Sequence, residues 1–118
     1  MSTAKTFTVS YGGIRIKVRV LPCAREVHRE FFDGACRAKG PTVYAFFAPS
    51  KSLNAKACGT IVLPLIGRLN EYIPHEVTHA VCHRLGGVGR NDDEFFATAV
   101  GMLSARIFSR LNEIRRAA

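Results

Sequence analysis

The chain has 118 residues, enough for one domain around one modest core and too few for two. Hydrophobic residues make up 47% and charged residues 22%, with no low-complexity tract and no visible internal repeat, so a disordered or repetitive chain is excluded. Lys and Arg outnumber Asp and Glu by 17 to 9, a net charge of +8 spread along the whole length, which bounds the partners only loosely.

The opening "MSTAKTFTVSYGG" contains no apolar run of signal-peptide length, and no stretch approaches the roughly 20 apolar residues that span a bilayer. A soluble, cytoplasmic protein with no membrane partner is the expectation. The four cysteines, Cys23, Cys36, Cys58 and Cys82, form no C-x-x-C knuckle and are expected as reduced, buried thiols.

"TFTVS" and "IRIKVRVL" flank "YGG", and Ile14, Ile16, Val18 and Val20 alternate with Arg15, Lys17 and Arg19 at the period of a half-buried strand. That pattern predicts a hairpin turning at Gly12 and Gly13. Ala24, Val27 and Phe31 share one side of a short amphipathic helix over 24–33, ended by Gly34. "TVYAFFA" and "GTIVLPL" read as two further strands, separated by the polar loop "PSKSLNAKAC".

A third long element is expected from about Asn70 to Leu85, stopped by "GGVG", and the last from about Asn91 to Ile114. The element order is therefore β-β-α-β-β-α-α. It predicts an α+β domain with a small, mostly antiparallel sheet of about four strands and a short helix, followed by two longer helices. Residues 1–66 form the β-rich half and residues 69–118 the helical half.

The first of those two helices carries "IPHEVTHAVCH", with three of the four histidines. At about 100° per residue Val77, Val81 and Leu85 form one apolar stripe, while Tyr72, His75, Glu76, His79 and His83 fall in a separate sector. Pro74, tolerated in a first turn, places His75 close to the helix start.

His75 and His79 are four apart, offset by about 40° and about 6 Å, so both imidazoles can converge on one ion. Glu76 follows the first histidine directly and can reach a water on that ion. This is the H-E-x-x-H arrangement, here "HEVTH", in which zinc activates water and the glutamate acts as general base. The competing interpretation is a solvated polar helix face.

His83 is four residues beyond His79, but "HAVCH" has no glutamate placed to work on bound water. His75 and His83 lie about 12 Å apart along the axis, too far to share one ion. His83 is therefore a supporting residue, hydrogen-bonded near the metal or buried, or a contact for substrate. Tyr72, in the same sector, is the other candidate for stabilising an oxyanion.

A third ligand must come from elsewhere, and "NDDEFF" is the obvious source. Glu94 lies opposite the stripe Phe96, Val100, Leu103, Ile107, Leu111 and Ile114, in line with Thr98, Gly101 and Ala105, whose small side chains would admit a neighbouring helix. Asp92 and Asp93 are substitutes. The bland alternative is a capping box formed by Asn91 and Glu94, with the aspartates favouring the helix N-terminus.

With "HEVTH" on one helix and the glutamate of "EFFATAVG" on the next, the chain resembles gluzincin-type zinc metallopeptidases, in particular the compact minigluzincins. It is also similar to small H-E-x-x-H proteins of phages and mobile elements. The resemblance covers about residues 70 to 110 and implies a zincin-like fold, Zn²⁺ as cofactor and a peptide or protein as substrate. It implies His75, His79 and Glu94 as ligands and Glu76 as base. It also implies that the strand before the active helix, "GTIVLP", pairs with extended substrate. SprT-like proteases share H-E-x-x-H but often add a cysteine ribbon, which is missing here.

A different class is raised by Arg15, Lys17 and Arg19 on one strand face, with Arg106, Arg110, Arg115 and Arg116 in the tail. Such stripes attract phosphate backbones, so nucleic acid is a second candidate partner, with or without the metal site. In a third possibility a structural or residual zinc merely stabilises a non-catalytic helix pair. The sequence leaves the oligomeric state open.

Overall fold

The computed structural model describes residues 4–32, 42–52, 56–86 and 93–117. Its elements, in chain order, are β1 (Lys5–Tyr11), β2 (Ile14–Leu21), α1 (Ala24–Phe31), β3 (Phe46–Pro49), β4 (Gly59–Pro64), α2 (Leu69–Leu85) and α3 (Asp93–Ala117). The expected order of strands and helices is observed.

β1 and β2 pair antiparallel, Phe7 opposite Val18 and Val9 opposite Ile16, through a turn at Gly12 and Gly13. Both glycines have positive φ, 55° and 84°, which a two-residue hairpin turn matching the strand twist requires. β2 then pairs parallel with β4, and β4 antiparallel with β3, giving a mixed sheet in the order β1-β2-β4-β3.

Alternation along β2 sends Ile14, Ile16, Val18 and Val20 to one face, where they join Phe7, Val9, Ile61 and Leu63. α2 covers this face over β3 and β4, and α3 covers it along β1. α2 contributes Leu69, Ile73, Val77, Ala80 and Val81 to the core; α3 contributes Ala99, Leu103, Ile107 and Leu111. α1 lies on the opposite face, where Val27 packs with Leu21 and Val62.

Several expectations are corrected. β3 begins at Phe46 rather than at the start of "TVYAFFA", and the Val43 amide instead donates to His28 Nδ1 at 2.9 Å. α1 ends at Phe31, before Asp33; Gly34 lies outside the described residues. α2 begins at Leu69, so Pro74 sits in its second turn, with no N–H for the Asn70 carbonyl. Gly86 ends α2 with a left-handed φ of 79°.

The three described cysteines are free but not fully buried: Cys23 is exposed and Cys58 and Cys82 are half-buried; Cys36 lies outside the described residues. The Cys58 thiol donates to the Ala80 carbonyl at 3.9 Å, and burial pushes its pKa up. Among the described residues no helix is long and apolar enough to cross a membrane.

Candidate metal centre

α2 is bound to the sheet by its apolar side, which fixes where its polar side points. Ile73, Val77, Ala80 and Val81 are fully buried, whereas His75, His79 and His83 are exposed. The exception is Glu76, only 7% exposed although it belongs to the histidine sector.

His75 and His79 converge as the four-residue spacing requires: their Nε2 atoms stand 3.2 Å apart. Two imidazole nitrogens at 2.0–2.1 Å from a tetrahedral zinc would stand about 3.3 Å apart, so the pair is spaced for two corners of such a site. The same distance suits a hydrogen bond between one neutral ring that donates and one that accepts. The rings meet edge to face, their centroids 4.8 Å apart.

Glu76 Oε2 lies 3.8 Å from His75 Nε2. Burial raises the pKa of this carboxyl above its usual value, and the neighbouring His75 and His79 pull it partly back. A carboxylate that is costly to keep ionised, held beside two imidazoles, has the basicity a proton acceptor needs.

Glu76 and His79, but not His75, border a cleft of about 370 Å³ beneath β3, an edge strand of the sheet. Glu76, His79 and His83 form its polar wall. Val43, Ala45 and Phe47, with Phe31, Phe46 and Pro49, supply the apolar one. His83 also packs against the Phe47 ring at 5.8 Å. Tyr72 instead stacks on Tyr44, centroids 5.9 Å apart, and is not among the residues that line the cleft.

The predicted third ligand is placed differently from its two partners. Glu94 is exposed in the first turn of α3, and among the described residues no third His, Cys, Asp or Glu joins His75 and His79 in a group able to hold a metal. The line Thr98, Gly101 and Ala105 is also exposed, and a Cβ at Gly101 would meet nothing within 4 Å. α2 therefore packs against the Leu103 side of α3, because burying large apolar side chains outweighs the close approach that small ones permit. Asn91 and Asp92, and the side chain of Asp93, lie outside the described residues.

"GTIVLP" cannot add a peptide strand, since β4 is already paired on both sides. Ile61, Val62, Leu63 and Pro64 are all buried. A continuous apolar run is the mark of a strand covered on both faces, and that signal was present in the sequence. Among the described residues, the edge beside the cleft with no strand paired to it belongs to β3. Sequence patterning does not point to Phe31, Phe46 and Phe47 as cleft residues; the aromatic cluster "VYAFF" is a signal for Phe46 and Phe47 but not for Phe31 on α1.

No family model, no curated protein and no solved structure matches the chain.

Proposed function

We propose that the protein is a zinc-dependent metallopeptidase of the gluzincin type on a zincin-like fold, with His75 and His79 as metal ligands and Glu76 as general base. The observation that carries this reading is the pair of Nε2 atoms 3.2 Å apart beside a buried glutamate, at the mouth of a cleft under a free strand edge.

Bound zinc would supply a Lewis acid that brings the pKa of its water to near neutrality and polarises the scissile carbonyl. Glu76 takes the proton of the attacking water and returns it to the leaving amine. His83, on the same wall, is suited to donate a hydrogen bond to the developing oxyanion.

β3 offers unpaired backbone groups to an extended peptide, which would lie against Phe46 and Phe47 and continue the sheet. A third ligand would have to come from the acidic group opening α3; Glu94 does not stand beside the histidine pair in this structure and would have to move to reach it, and Asp92 and Asp93 are the alternatives. Metal content of Glu94→Ala, Asp92→Asn and Asp93→Asn variants distinguishes them, since the ligand's loss should weaken zinc retention most.

The deciding test is Glu76→Gln: the variant should keep its zinc and lose peptide cleavage. A Glu76→Gln protein that cleaves like wild type would remove the catalytic reading. It would leave at most a structural metal site.

A further inference from the structure

The other edge of the sheet carries different chemistry. On the face of the β1–β2 hairpin away from α2 and α3, the register sets Thr6 opposite Arg19, Thr8 opposite Lys17 and Ser10 opposite Arg15. All but the half-buried Arg19 are exposed, and these six residues include neither an acid nor an aromatic ring.

The cations on this face are not equivalent. Arg19 Nε lies 2.9 Å and 3.1 Å from the two carboxylate oxygens of Glu30 on α1, so its charge is already matched. Among the described residues no carboxylate lies within ion-pairing distance of Arg15 or Lys17.

At the hairpin tip the face runs into a cavity of about 430 Å³ lined by Ser10, Tyr11, Gly12, Gly13, Arg15 and Arg106. Arg106 reaches over the β1 edge from α3, donates to the Ser10 carbonyl and lies 5.6 Å above the Tyr11 ring. It too has no carboxylate partner among the described residues. Two unmatched guanidinium groups, two hydroxyls and a glycine turn thus surround one concavity.

We propose that this face and its tip cavity bind the phosphate backbone of a nucleic-acid duplex without reading its bases. Arg15 and Lys17, two residues apart on one strand, are spaced by about 6.7 Å, close to the separation of neighbouring phosphates. Ser10 and Thr8 sit directly across from them to donate further hydrogen bonds to phosphate oxygens. Single strands are held by aromatic stacking platforms; the strand face carries no ring, and the ring at the tip cavity, Tyr11, is half-buried beneath Arg106, an arrangement that favours the duplex. The site is separate from the α2 cleft and does not depend on the metallopeptidase reading.

The test is the salt dependence of binding of the full chain to a DNA duplex of arbitrary sequence. Wild type should bind at low salt with a log K against log salt slope that Arg15→Thr/Lys17→Thr reduces by about 1.8, one phosphate contact per cation removed. Threonine preserves strand propensity, and an unchanged melting midpoint confirms that the variant is folded. A charge-matched control, Arg68→Ser/Arg116→Ser, alters the other end of the molecule, where Arg115 meets the Leu65 carbonyl. It should leave most of the slope.

The proposal is overturned if the duplex is not retained at low salt. It is overturned equally if both double variants lower the slope alike, or if single strands or anionic vesicles bind as tightly as the duplex.

Discussion

The two edges of the sheet differ in what their side chains demand. At the β3 edge, a cleft lined by Phe31, Phe46 and Phe47 borders a buried glutamate that stands beside two exposed imidazoles. Towards the β1 edge, Arg15 and Arg106 remain in solvent around a polar cavity, and Lys17 is exposed on the neighbouring strand face. A buried ionisable group has its proton affinity altered, whereas an exposed cation keeps its charge and acts at longer range on counter-charges. The comparison teaches that one small sheet can present a half-buried titratable cluster at one edge and solvated, unpaired cations towards the other.

The largest effect that would sharpen this division is Glu76→Gln. Loss of a general base is expected to lower turnover by about 10²–10⁴-fold while duplex retention at the opposite edge stays unchanged. Peptide cleavage and duplex binding measured on the same preparation check both halves.

The core beneath both edges should not discriminate between them. Ile73 is completely buried where α2 meets the sheet, and Ile73→Ala should cost about 2–5 kcal/mol by denaturant unfolding. Both activities should then fall together as the folded fraction falls.

A smaller effect concerns pH. In protein kept metal-free by a chelator, the folded-state pKa of Glu76 is raised by burial above its unfolded value. The folded state therefore binds more protons, and stability falls as pH rises from the unfolded pKa through the folded one. The Glu76→Gln variant should lose this descent, and its melting midpoint at neutral pH should exceed that of metal-free wild type. Melting curves across acid and neutral pH provide the check.

The smallest effect lies on the cationic face. Glu30→Gln releases Arg19, and because the pair is about one-third exposed it should cost under about 1 kcal/mol of stability. It should also steepen the salt dependence of duplex binding slightly, by freeing one cation.

The local elements were legible to different degrees. The strict alternation of Ile14 to Val20 and the double glycine announced the hairpin, because period-two burial and positive φ are set by nearest neighbours. The four-residue repeats of α2 and α3 announced their buried faces in the same way. The position of β4 inside the sheet is also written in its unbroken apolar run, which runs against the substrate pairing that the family resemblance implies for "GTIVLP".

What the sequence did not convey depends on contacts distant in the chain. The His28 side chain meets the Val43 amide fifteen residues away, beside the shortened β3. Arg19 meets Glu30 from a different element, which removes one cation from an apparently uniform stripe. Glu94 shows the same difficulty: helical phase placed it with Thr98 and Gly101, but not which side of α3 would receive α2. In the candidate site, the pairing of His75 with His79 followed from spacing alone, while the burial of Glu76 depended on the surrounding cleft.

The most direct test of the metal centre is elemental analysis of the purified full chain beside its His79→Ala variant. The expected result is about one zinc per wild-type chain and its loss from the variant. Wild-type protein without stoichiometric metal, or a His79→Ala protein that retains it, would contradict the account.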